Sequence, residues 1–134
     1  MIYIVQNLVP ILAATGAAFL FGGLYYRALR RPWLAAVGPN AEAAEDRPGA
    51  LHYLAIFIAE FWMAAILAGA MILAPTDGGA GPWTMALGSA VIIWIGFVLP
   101  ALFVSYRLAG LRTRLVAYDA LHWLGAMLLM AATV

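Results

Sequence analysis

Three side chains capable of acid–base chemistry lie inside long apolar stretches of this sequence: Glu60, Asp119 and His122. Glu60 lies about 13 Å into the second stretch and His122 about 10 Å into the fourth, for helices that rise about 1.5 Å per residue. Asp119 precedes His122 by three residues, which places both side chains on nearly the same helix face. The sequence therefore predicts a polar cluster of these three residues inside the protein.

The chemistry open to this cluster depends on whether its groups are partnered. A charged carboxylate inside a bilayer costs about 3 kcal/mol, so we expect Glu60 to be protonated or paired, with His122 and Arg107 as candidate partners. One function is a polar clasp, in which Glu60 and His122 hydrogen-bond across two helices. The other is a proton relay or a polar ligand contact. We favour the clasp, because the segments hold only one deep carboxylate and one deep histidine.

Cofactor, metal and enzyme chemistry have little support in the sequence. His122 could be an axial ligand for haem or chlorophyll, but no binding motif accompanies it, so no cofactor is predicted. The chain has no cysteine and no HxxxH spacing, so no metal site is predicted either. A phosphate-binding glycine loop and a nucleophile elbow are also missing from the sequence. We therefore predict a protein that is not an enzyme and assign no catalytic residue.

Four apolar segments position these residues, each near or above the roughly 20 residues that a membrane-spanning helix needs. Of the 134 residues, 66% are hydrophobic and only 10% are charged, a composition far from that of soluble domains. We predict an all-α membrane protein with one domain, residues 1–134, built as a small bundle of four transmembrane helices. Their expected bounds are about 2–26, 51–74, 82–106 and 115–134, with cytoplasmic loops at 27–50 and 107–114.

The arginines predict the orientation of the bundle. The chain has no lysine, and all seven arginines lie in the two loops 27–50 and 107–114. Arginine-rich loops stay on the cytoplasmic side of a membrane, whereas the loop between the second and third segments has a single charge, Asp77. The predicted topology is a multi-pass protein of the inner membrane with both termini on the periplasmic or extracellular side. The arginines are Arg27, Arg30, Arg31, Arg47, Arg107, Arg112 and Arg114.

The loops also indicate contact with lipid. We expect the arginines to touch anionic headgroups; a dedicated ligand site is the alternative, and a nucleic-acid partner is not predicted. Segment 30–34 is expected to lie at the headgroup level, and the acidic segment 40–46 is expected to form a short surface helix or to remain mobile. Aromatic residues near the segment ends are expected to be interfacial anchors; they include Tyr25, Tyr26, Trp33, Tyr106 and Tyr118.

Small residues at intervals of four indicate how the helices pack. Such ridges let helix backbones approach closely, which drives association in lipid because apolar burial contributes little there. Glu60 continues one ridge and should therefore face another helix, while Pro100 is expected to kink the third segment or to act as a gate hinge. The predicted packing residues are Ala14, Ala18, Gly22, Ala64 and Ala68, with further close contacts at Gly88, Gly96 and Gly125.

Short aromatic motifs give the chain a family resemblance. They are Gly22-Gly23-Leu24-Tyr25-Tyr26, Pro32-Trp33, Trp94-Ile95-Gly96-Phe97, and Tyr118 with Trp123. In order and spacing they resemble the bacterial and fungal membrane proteins of domain-of-unknown-function family 1761, whose members usually carry tryptophan in place of Tyr25. The resemblance covers nearly the whole chain and implies a compact four-helix membrane protein. It implies no activity, substrate or catalytic residue.

The predicted function is an accessory or interaction subunit that packs against lipid, a larger membrane complex or another copy of itself. The reason is that almost no mass lies outside the bilayer to form a soluble active site. The first alternative is a small oligomeric transporter or channel with a proton-linked path through Glu60 and His122. The second alternative is a lipid- or pigment-binding membrane subunit, with His122 as the candidate ligand.

Overall fold

The computed structural model describes residues 2–40, 49–73, 79 and 81–134, and these are helical almost throughout. The predicted all-α fold is confirmed, and four helices in the described ranges are long and apolar enough to cross a membrane. Arg47 and residues 41–46 of the acidic segment lie outside the described residues. The helices are α1 (Ile2–Gln6), α2 (Leu8–Ala28), α3 (Arg30–Val37), α4 (Ala50–Leu73), α5 (Pro82–Ile93), α6 (Leu99–Leu108) and α7 (Thr113–Thr133).

Prolines decide where the first part of the chain is interrupted. The junction between α1 and α2 is at Asn7, three residues before Pro10, and that between α2 and α3 is at Leu29, three residues before Pro32. A proline lacks an N–H, and its ring clashes with the carbonyl of the residue four positions earlier. In both cases that residue comes just before the junction. The expected single helix 2–26 is therefore divided at Asn7, and segment 30–34 begins the short helix α3.

The third span, Pro82–Leu108, is continuous but contains one wide turn. Residues Trp94–Val98 are π-helical, and the N–H of Leu99 bonds to the carbonyl of Trp94, five residues back. Pro100 follows directly, and its missing N–H would otherwise have bonded to Gly96. Single π turns of this kind absorb an irregularity without ending the helix. The kink predicted at Pro100 thus corresponds to a π turn that ends at Val98.

The fourth span, α7, forms the centre of the bundle. Half of its apolar stretch is buried, compared with 6% of the third span, and it packs against α2, α4, α5 and α6. The small-residue ridges lie in the interfaces of the bundle, where their short side chains permit close approach of the backbones. Their members are all buried: Ala14, Ala18 and Gly22 of α2, and Ala64 and Ala68 of α4.

Only one of the three further glycines makes a close contact. A Cβ at Gly125 would lie 2.6 Å from Cζ of Phe21, so the phenyl ring fills the space that a side chain would need. In the described part of the chain, nothing lies within 4 Å of the Cβ position of Gly88 or Gly96. The close contacts predicted at Gly88 and Gly96 are therefore wrong, because both lie on the third span, which the rest of the chain covers least.

The two arginine-bearing connections lie at one end of the bundle, and the chain termini lie at the other. Arg112, before α7, donates a hydrogen bond to the carbonyl of Ala35 in α3 at 3.2 Å. Near the opposite end, Val134 and Asn7 line one small cavity together with Ile72. Both termini are therefore on the same side of the protein, as four spans require.

Candidate functional site

Asp119 accepts three hydrogen bonds, each from a different helix. Its Oδ1 accepts from the hydroxyl of Tyr26 at 2.8 Å and from Nε1 of Trp33 at 3.0 Å, and its Oδ2 accepts from the hydroxyl of Tyr106 at 2.7 Å. The donors belong to α2, α3 and α6, while Asp119 belongs to α7 and is only 5% exposed. Hydrogen bonds to a carboxylate are shorter and stronger than those between neutral groups. This carboxyl group therefore joins four helices at the arginine end of the bundle.

The three donors are residues to which the sequence assigns another role. Tyr26, Trp33 and Tyr106 are predicted as interfacial anchors, yet their polar atoms are directed at Asp119. Tyrosine and tryptophan combine an apolar ring with one polar atom that usually finds a partner when buried. One signal in the sequence could have indicated these hydrogen bonds. The three aromatic residues lie near the span ends, and Asp119 lies about 9 Å into α7 at the same end of the bundle.

Glu60 and His122 converge on Gly22 near the middle of the bundle. The two side chains are 1% and 4% exposed. A Cβ at Gly22 would lie 2.9 Å from Nε2 of His122 and 3.9 Å from Oε1 of Glu60. The backbone of α2 thus passes close to both polar groups, and a side chain at position 22 would force the imidazole of His122 to shift. The structure brings these two predicted residues together, with Asp119 one turn away along α7.

The predicted hydrogen bond between Glu60 and His122 is wrong. Oε2 of Glu60 and both ring nitrogens of His122 are buried without a hydrogen-bond partner among the described residues. Arg107, the other candidate partner, is exposed at the end of α6. The physical reason is that α2 packs more extensively against α4 and α7 than those two helices pack against each other. Unpaired buried polar groups are rare in proteins and require an explanation in terms of strain or function.

Aromatic rings surround the imidazole of His122. The ring of Phe21 is stacked on it with centroids 5.9 Å apart and an interplanar angle of 7°, and Tyr26 approaches to 4.8 Å. Tyr25 and Trp123 lie at 5.5 and 5.1 Å. A haem or chlorophyll ligated by His122 would require some of these rings to move aside. No group of three His, Asp or Glu side chains able to hold a metal ion is present within the described ranges.

The third span is attached to α7 close to the same cluster. Nε1 of Trp94 donates a hydrogen bond to the carbonyl of Ala120 at 2.8 Å. Trp94 is the first residue of the π turn, and Ala120 lies between Asp119 and His122 along α7. The irregular turn of the third span and the polar cluster of the fourth are therefore neighbours, a relation that the sequence spacing did not indicate.

The six arginines in the described part of the chain fall into three groups. Arg112 is structural: besides its bond to Ala35, its Cζ lies 3.1 Å from the Cβ position of Gly38, which has a φ of 78°. Arg107 and Arg114 are exposed. The remaining three line a cavity of about 500 Å³, whose walls are Arg27, Ala28, Arg30, Arg31, Pro32 and Leu34.

Comparison with known proteins identifies the family of this chain. No curated protein and no solved structure matches it. A family model described as "Protein of unknown function (DUF1761)" matches residues 9–134. This range contains all of the four spans except Leu8, and it includes Glu60, Asp119 and His122. The resemblance found in the aromatic motifs is thereby confirmed, and the chain belongs to this family of proteins of unknown function.

Proposed function

We propose that this protein is a multi-pass protein of the inner membrane that acts as a non-enzymatic accessory or interaction subunit, with both termini on the outer side. The observation that carries the proposal is the third span. It is the most apolar of the four, with a mean hydropathy of 2.4, yet only Ala86 and Ala90 within it are buried. Its large exposed side chains need a cover of lipid or of another protein; they include Ile92, Ile95, Phe97 and Phe103.

The polar interior supports a non-enzymatic role. The carboxyl group of Asp119 is engaged by three donors that hold helices together. Glu60 and His122 are enclosed by α2, by α7 and by aromatic rings, with 4% exposure or less. A substrate would have to separate these helices before it reached either group.

Cross-linking from the third span tests the interaction role. We expect a photoreactive residue at Phe97, which is 74% exposed, to form a discrete protein adduct in native membranes. The matched control is the same residue at Leu24 of α2, which is 67% exposed on a different span and should give mainly lipid adducts. Lipid adducts alone at both positions would contradict the accessory role. Native mass analysis of the gently solubilised protein then separates a heteromeric complex from a homo-oligomer or a retained chromophore.

A proton-linked transporter is the second candidate function, and the unpaired atoms of Glu60 and His122 favour it. Tyr26 bonds to Asp119 and its ring lies 4.8 Å from that of His122, so polar groups extend from the arginine end to the middle of the bundle. Toward the termini the buried core is apolar except for Thr15, whose hydroxyl donates to the carbonyl of Ile11 in its own helix. A complete path would therefore need a second copy of the chain. This apolar part comprises Ala64, Leu67, Ala68, Met127 and Met130.

Substitutions of Glu60 distinguish the two functions. Because an unpaired buried polar group costs about 1–3 kcal/mol, we expect Glu60→Leu to leave the free energy of unfolding in detergent unchanged or to raise it. Glu60→Gln, which keeps the size and polarity, is the control. If the protein is an accessory subunit, neither variant alters proton flux in liposomes; if it is a transporter, both abolish a flux that the original protein shows. A large loss of stability in Glu60→Leu would contradict the unpaired state of Glu60.

A further inference from the structure

We propose that Arg27 and Arg31 form a binding site for the phosphate group of an anionic phospholipid, in a cavity that Arg30 also lines. These side chains line one open cavity at the surface, of about 500 Å³. The inference goes beyond the accessory role and depends only on the proposed position of the protein in a membrane.

The local fold places the three arginines together. Arg27 is in the last turn of α2, and Arg30 and Arg31 are the first two residues of α3. Leu29 separates these two helix ends, and side chains from both line the same cavity. The arginine side chains thus border one space from two helix ends.

Three contacts that involve neither Arg27 nor Arg31 hold α3 in place. Trp33 donates to Asp119 at 3.0 Å, Arg112 donates to the carbonyl of Ala35 at 3.2 Å, and Ala36 is 4% exposed. A site whose supporting helix is held in place before the ligand arrives has less conformational entropy to lose on binding. The cavity is therefore built on a fixed support, although its arginines are exposed.

The chemistry of the walls favours a phospholipid. A guanidinium group presents paired N–H donors that match the oxygens of a phosphate, and two such cations together, Arg27 and Arg31, attract an anion strongly. The other walls are apolar and comprise Ala28, Pro32 and Leu34; they suit the glycerol and acyl portion of a lipid and have no role for a free ion. Since α2 ends at Ala28, the cavity lies at the level of the headgroups if α2 crosses the bilayer.

The remaining arginines supply a matched control. Arg107 and Arg114 are exposed and belong to the other connection at the same end of the bundle, but they do not line this cavity. Replacing two arginines in either group changes the net charge equally. General attraction between a basic surface and anionic lipid would respond to both replacements, whereas a site would respond to only one.

Native mass spectrometry of the full chain released from nanodiscs of equal parts phosphatidylglycerol and phosphatidylcholine tests the site. We expect the protein to retain one phosphatidylglycerol in preference to phosphatidylcholine. At roughly tenfold for each arginine that hydrogen-bonds the charged phosphate, Arg27→Gln with Arg31→Gln should lower that retention about 100-fold, and Arg107→Gln with Arg114→Gln should lower it much less. Arg27→Lys with Arg31→Lys should give an intermediate value, because lysine keeps the charge and loses the paired donors.

Each outcome decides the proposal. Equal losses in the two glutamine double variants, or no preference for phosphatidylglycerol, would overturn the site. Displacement of phosphatidylglycerol by millimolar inorganic phosphate would show a free-phosphate site and would overturn the lipid as its ligand. Thermal unfolding of every variant separates loss of binding from loss of fold. An absence of protein partners in cross-linking would contradict the accessory role and leave this result unaffected.

Discussion

Asp119→Leu should release α3 from the bundle and lower the free energy of unfolding in detergent by about 2 to 5 kcal/mol. The range follows from three lost hydrogen bonds, because one polar bond inside a membrane protein is worth about 0.6 kcal/mol on average and about 1.7 kcal/mol at most. Thermal unfolding measures the global effect. A cysteine at Ala36, which is 4% exposed in the intact protein, should become reactive toward a thiol reagent once α3 detaches.

Two further variants make the test of Asp119 specific. Asp119→Asn should retain most of the stability, because its amide oxygen can still accept hydrogen bonds from Tyr26 and Trp33. Its amide NH2 group can donate to the hydroxyl oxygen of Tyr106. Tyr106→Phe should lower stability in the original protein and should cost nothing more when combined with Asp119→Leu. Equal stability of Asp119→Leu and the original protein would show that this carboxyl group does not join the helices.

Gly22→Leu should separate α2 from α7, with a loss of about 3 kcal/mol, the upper part of the usual cost of overpacking. Even a Cβ at position 22 would lie 2.9 Å from Nε2 of His122, and the imidazole cannot swing away freely because rings such as Phe21 and Tyr26 surround it. The expected signs are a lower unfolding temperature and loss of the main solubilised species in size-exclusion chromatography.

The neighbouring glycine provides the control for this prediction. Nothing in the described part of the chain lies within 4 Å of the Cβ position of Gly23, which is exposed. Gly23→Leu should therefore retain the stability or raise it by up to about 1 kcal/mol, since leucine is the better helix former. Combining Gly22→Ala with His122→Ala should recover the stability that Gly22→Ala alone loses. If Gly22→Leu and Gly23→Leu behave alike, the close approach of α2 to His122 is not required for folding.

The properties that the sequence predicted correctly depend on local composition. Mean hydropathy over about 20 residues indicates four spans, and each span is found as an apolar helix. The aromatic motifs likewise identified the family, since the matched range 9–134 includes them all. The helix breaks at Asn7 and Leu29 were not predicted, although their signal is local, because a proline acts on its own backbone neighbours. Pro10 and Pro32 lie three residues after the two junctions, and Pro100 follows the π turn.

The pairing of polar groups was not predictable in this way. Glu60 and His122 were correctly expected to be near one another, because helix depth can be counted along the sequence. Whether they hydrogen-bond depends on where the backbone of a third helix lies, and Gly22 of α2 lies close to both. Asp119 was assigned to the same cluster by its spacing from His122, but its partners come from three other helices.

The sequence by itself determined that this chain is an all-helical protein with four apolar spans and with its arginines confined to two connections. These features follow from the free energy of transferring each segment from water to an apolar medium. Each residue contributes to that free energy individually. Only the tertiary structure decided which polar groups have hydrogen-bond partners and which arginines share a cavity. It also decided at which glycines a neighbouring ring occupies the space that a side chain would need. The reason is that hydrogen bonding and close packing require particular atoms within about 3–4 Å, and that precision is set by the crossing of several helices.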